Sequence, residues 1–143
     1  MNRHIVYSNI LINSNCMKIE WHKEIEELKS HEKILLVWTI INIGGEIIVL
    51  EEDSDNLSPD LIVDNIETEL KYTSGNLNTL DSHVRKAAKQ TEGRRLVLNI
   101  SSEASYSNED AINTISRRMF RSNLREVYLL KDYQFVSRIN LYE

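Results

Sequence analysis

Apolar positions recur with two different periods along this chain, and the switches between them mark its elements. The opening sixteen residues, MNRHIVYSNILINSNC, alternate weakly and suggest a strand or a partly ordered leader. From Met17 to Leu28, Ile19, Trp21, Ile25 and Leu28 sit among Glu and Lys at roughly helical spacing, which predicts a first helix. Ser30 can cap a second, from about His31 to Asn42, with Ile34, Val37, Trp38 and Ile41 on its inward face. Gly44-Gly45 then stops it. "EIIVLEE" (Glu46–Glu52) predicts a strand, and the polar "DSDNLSP" a loop. "LIV" and "IETEL" predict two further strands, joined through Asp64-Asn65, residues that tolerate the positive φ of a two-residue hairpin turn.

"TSGN" (Thr73–Asn76) predicts a loop, and a helix follows from about Thr79 to Gln90 with Leu80, Val84, Ala87 and Ala88 inward. "RRLVLNI" is apolar almost throughout, as a strand buried on both faces should be. Ser107 or Asn108 caps a helix running to about Arg121 through Ala111, Ile112, Ile115 and Met119. "EVYLLK" and "QFVSRI" complete the pattern as a hairpin around Lys131-Asp132. The predicted order is α-α-β-β-β-α-β-α-β-β. A meander, a helix and a strand returning to the same sheet give an α/β architecture with helices flanking a central mixed sheet.

With 143 residues the chain is expected to be one domain. Its single cysteine, Cys16, cannot form an internal disulfide, which suits a reducing compartment such as the cytoplasm. No apolar run approaches the about 20 residues a membrane-spanning helix needs, and the first residues lack the pattern of a secretory signal. The net charge of −5 argues against nucleic acid as a partner until its distribution is considered. Residues 1–83 hold 6 Lys and Arg against 15 Asp and Glu, a net −9, whereas residues 84–143 hold 11 against 7, a net +4. Solvated helix faces would give the same clusters. An acidic half beside a basic half is also what a metal-dependent phosphodiesterase needs, carboxylates for the cation and arginines for flanking phosphates.

The segment "SPDLIVDNIETELKY" (residues 58–72) carries the candidate chemistry. On a strand, Glu69 and Lys71 share one face about two rises, roughly 6.5 Å, apart. Asp60 opens the preceding strand and can come beside them. Two converging carboxylates attract a hard divalent cation such as Mg2+ or Mn2+, and Lys71 can orient a water or stabilise developing charge. An exposed strand edge would show the same letters.

Pro59-Asp60, followed nine positions later by Glu69-Leu70-Lys71, resembles the motif that names the PD-(D/E)XK nuclease superfamily. The predicted order also resembles that superfamily's αβββαβ core, with Glu32 where its first helix carries an additional acid. Glu46 is the substitute for that acid. Within the superfamily, "SGNLNTLDSHVRKAAKQ" (Ser74–Gln90), followed by "RRLVLNIS", is similar to C-terminal tRNA nuclease domains of contact-dependent growth inhibition toxins. The likeness covers about residues 28–131.

The resemblance implies catalytic roles for Glu32, Asp60, Glu69 and Lys71, with the three acids holding the metal. It implies Mg2+ or Mn2+ as cofactor, with Zn2+ as a further candidate. Substrate contacts fall to Thr73, Ser74, Asn76, His83, Lys86, Gln90 and Arg94, within two basic clusters at 85–95 and 117–125 that would grip the backbone. The implied partners are nucleic acid, tRNA ahead of DNA, then a cognate immunity protein and a second copy of the chain. The alternatives are a DNA endonuclease of restriction or junction-resolving type from a phage or mobile element, and a non-catalytic interaction protein that keeps the fold. His22, His31 and His83 lack Cys or His partners at zinc spacing. Gly44-Gly45 lacks the lysine of a phosphate loop.

Overall fold

The computed structural model describes residues 4–8, 16–51, 59–90 and 95–142. Along the chain these form β1 (His4–Ser8), β2 (Cys16–Trp21), a single 3-10 turn (Ile25–Glu27), α1 (Ser30–Asn42), β3 (Gly45–Val49), β4 (Leu61–Val63) and β5 (Ile66–Thr73). Then follow α2 (Leu77–Gln90), β6 (Arg95–Ile100), α3 (Asn108–Phe120), β7 (Glu126–Lys131) and β8 (Gln134–Tyr142). All eight strands join one mixed sheet in the order β1-β8-β7-β6-β5-β4-β3-β2. β3, β4 and β5 make an antiparallel meander. β5, β6 and β7 run parallel, with α2 and α3 as the crossovers.

The helices divide between the two faces of the sheet. Leu80, Val84 and Ala87 of α2 and Ala111, Ile115 and Met119 of α3 pack on Leu96, Leu98 and Leu129. Leu35 and Leu36 of α1 pack on the other face, against Ile47, Leu61, Leu70 and Val97. β6 lies between the two layers with all six residues buried, which is why its apolar run lacks alternation. Both inward faces predicted for α2 and α3 hold, save that Ile112 is only partly buried. Ser107 caps α3, its hydroxyl accepting the Asp110 N–H at 3.1 Å. Among the described residues no helix is long and apolar enough to cross a membrane.

Several expectations change. Ser30 opens α1 rather than capping it, and Lys29 is the cap. The predicted helix at 17–28 is instead an edge strand, β2, parallel to β3, followed by the 3-10 turn. Lys18 and Glu20 alternate with Ile19 and Trp21, a period of two that pairing with β3 selects over the looser helical spacing. α1 buries Leu35, Leu36 and Thr39, whereas Ile34, Val37 and Ile41 are 45%, 48% and 62% exposed. Since α1 is apolar nearly all round, periodicity does not single out a face. The last hairpin turns at Asp132-Tyr133, both at positive φ, one residue later than predicted. The weakly alternating N-terminus does contain a strand, β1, paired with β8.

Candidate active site

The β4–β5 hairpin sets the geometry. Its turn uses the positive φ of Asp64 (50°) and Asn65 (67°), as the sequence predicts. The register pairs Leu61 with Thr68, and one step further this sets Asp60 across from Glu69. Asp60 Oδ2 accepts the Leu70 N–H at 2.9 Å, so its side chain continues the ladder where the strand ends and is held in place. Glu69 is 3% exposed, and Lys71 is half-buried two residues further on the same face.

Glu32 reaches this cluster from the first turn of α1. Its Oε1 accepts the Lys29 N–H at 2.8 Å, which satisfies one of the helix's unpaired donors. That bond also orients the carboxyl toward Asp60, whose charge and hydrogen bond it feels. Glu46, the substitute acid, lies at the opposite end of the meander. Its carbonyl accepts from Asp64 N–H beside the turn, while Leu50 N–H at the far end of β3 donates to the Asp60 carbonyl. The structure therefore places Glu32, not Glu46, beside Asp60.

Electrostatics makes this group unusual. Burial, then a hydrogen bond to Asp60 and the Asp60 charge, push Glu69 up to about 10, with Lys71 opposing. Burial raises Glu32 as well, against the Lys29 N–H and with the help of Asp60. Glu69 Oε2 is buried without a hydrogen-bond partner. Among the described residues, no three His, Cys, Asp or Glu side chains already stand as a group that would hold a metal ion. A cation binding here must displace the proton that burial favours on Glu69.

The flanking residues separate by role. His83 on α2 contacts Thr73 Oγ1 through Nδ1 at 2.7 Å, and burial followed by the charges of Lys71 and Lys86 lowers its pKa. Thr73, expected to touch substrate, is 1% exposed and anchors His83 instead, because it points into the sheet at the end of β5. Asn76 caps α2, its Oδ1 accepting from Thr79 N–H at 3.0 Å, so the helix starts before Thr79. Asn76 is still exposed, Ser74 is half-buried and Lys86 is exposed. Gln90 closes α2, and Arg94 lies outside the described residues.

The basic clusters do not act as one surface. Arg95 is buried, with Nε 2.8 Å from Glu126 Oε1. Arg118 is tied to Asp81 by two bonds of 2.9 and 2.6 Å. Two residues outside the predicted set border the carboxylates. His31 feels the charges of both Asp60 and Lys71 and packs its ring 6.1 Å from Tyr72, which is 39% exposed. Their adjacency to Glu32 and Lys71 in sequence was the available signal.

No family model, curated protein or solved structure matches this chain.

Proposed function

We propose that the chain is a metal-dependent phosphodiesterase of the PD-(D/E)XK type that cleaves nucleic acid, with tRNA the favoured substrate. The observation that carries the reading is Glu69. A carboxyl buried beside the Asp60 carboxyl, with one oxygen unpartnered, is a costly arrangement that a bound ligand would relieve. The order α1-β3-β4-β5-α2-β6, a meander followed by a parallel return, supports it, because that superfamily uses the same order.

The donor set fits a hard cation. Asp60, Glu69 and Glu32 offer carboxylate oxygens only, which favours Mg2+ or Mn2+ over Zn2+. When bound, such a cation polarises the phosphate and lowers the pKa of a coordinated water. The residues of the chain do the rest. Glu69 and Asp60 are fixed by the hairpin register and the Leu70 N–H, so they need little reorganisation. Lys71 presents a positive donor toward the charge that grows on the phosphoryl oxygens as water attacks in line and the leaving oxygen departs. Lys86 adds positive character on the α2 side, whereas burial and the lysine charges favour a neutral imidazole at His83.

Cleavage of tRNA and of single- and double-stranded DNA in Mg2+, Mn2+ or EDTA tests this directly. Glu69→Gln and Lys71→Ala should each lower the metal-dependent rate by about 100-fold or more. Unchanged cleavage by both variants would remove these residues from the mechanism. Cleavage of DNA in preference to tRNA would move the substrate to the DNA alternative.

A further inference from the structure

α2 puts its charges on two sides. At 100° per residue, Arg85 lies about 160° around the helix from His83. His83 and Lys86 belong to the side that meets Lys71. Arg85 and Lys89 belong to the side that meets α3, where with Arg118 and Arg121 they line a groove of about 740 Å3. A smaller pocket of about 220 Å3, lined by Asp81, Arg117, Arg118 and Arg121, continues it toward Asn78.

Among the described residues, five cations and one acid, Asp81, line this continuous track, a local net of +4 in a chain whose net charge is −5. Asp81 is committed to Arg118. Asp81 also attracts Arg85 and Arg121 through its charge. Like charges held side by side repel, and a polyanion offsets that repulsion. Four of the five are arginines, whose planar forks match phosphate oxygens. Arg85 and Lys89, and likewise Arg117 and Arg121, are spaced i,i+4, so each pair presents neighbouring positive heads along a helix.

We propose that the α2–α3 groove is a second nucleic-acid site, which grips the sugar-phosphate backbone of a substrate segment distant from the bond that is cut. The thickness of α2, about 10 Å with its side chains, separates it from the carboxylates. A substrate that reaches both must fold back or wrap around α2, which a folded RNA does and a dinucleotide cannot. The proposal rests on nucleic acid being the substrate class, but its binding test does not require cleavage.

The test uses the triple variant Arg85→Ala, Lys89→Ala, Arg121→Ala, with unfractionated tRNA as probe. In EDTA, its Kd for tRNA at physiological salt should rise about tenfold or more. The slope of log Kd against log salt should flatten by about 2–3. In Mg2+, the loss should appear in KM for tRNA with kcat within about twofold, and a dinucleotide should show no such KM penalty. Thermal melting confirms that the variant is folded, and Arg85→Lys with Arg121→Lys should restore most of the salt slope. An unchanged Kd and slope in a folded variant overturns the proposal, as does polyglutamate competing as well as polynucleotide of equal charge. Groove-dependent binding without any cleavage retains this site and sinks the phosphodiesterase reading instead.

Discussion

Glu69 shows in one side chain the tension between stability and chemistry. In EDTA its carboxyl is held protonated by burial and Asp60, up to about 10, whereas in the unfolded chain it ionises near its ordinary 4.5. Between those values the unfolded chain gives up a proton that the folded chain keeps, so the metal-free fold loses stability as pH rises. Glu69→Gln removes the slope. Chemical denaturation in EDTA should find this variant more stable than the parent by on the order of 2 kcal/mol near pH 8, and nearly equal near pH 4. Parallel pH profiles for the two proteins would contradict the placement of Glu69. The same residue was legible in the sequence as the Glu of an E-x-K pattern, but nothing in the pattern said it was buried. Its 3% exposure came from tertiary packing, and it sets Glu69 apart from a solvated strand edge.

Among the elements, the Asp64-Asn65 turn and the inward faces of α2 and α3 were legible in the sequence, whereas the face of α1 was not. Gly45, at φ 80°, follows α1 so tightly that a Cβ there would run into the Asp64 carboxylate. That carboxylate accepts the Glu46 N–H at 2.9 Å and ties the start of β3 to the hairpin turn. Gly45→Ala should therefore destabilise the fold by about 1–3 kcal/mol, read from the urea midpoint. A neutral result would mean that the turn relaxes freely.

Strands β6, β7 and β8 are clamped by Arg95, Glu126 and Arg138, with contacts of 2.8 and 2.6 Å to Glu126. Burial alone would raise Glu126, but the Arg95 charge and the Arg138 hydrogen bond hold it below its ordinary value. A depressed carboxyl contributes stability above its unfolded pKa and loses it as pH falls through the folded one. Glu126→Gln should cost about 3 kcal/mol at neutral pH and flatten the acid side of the stability profile, below about pH 4. Sequence placed Arg95 with the phosphate-gripping residues. Its partner lies 31 positions away, so only the pairing of β6 with β7 could assign it to the fold.

At the scale of the whole molecule, the acidic half of the sequence supplies β1 to β5 and the basic half β6 to β8 of one sheet. A cation that binds the native carboxylates and not the unfolded chain must stabilise the fold, by about 2.7 kcal/mol at a hundredfold excess over its Kd. Melting with Mg2+ or Mn2+ should show that rise, EDTA should reverse it, and Asp60→Ala should abolish it. The sequence alone determined the α/β class, the β3–β4–β5 meander with its Asp64-Asn65 turn, the buried β6 and the placement of Asp60 opposite Glu69. These rest on local periodicity, turn chemistry and register, which neighbouring residues encode. Only tertiary structure decided that residues 16–21 are a strand, which face α1 buries, that Glu32 rather than Glu46 joins the acids, and that α2 splits the basic residues in two. Each of those depends on contacts between segments far apart in the chain, where packing, not local propensity, chooses among conformations the sequence allows.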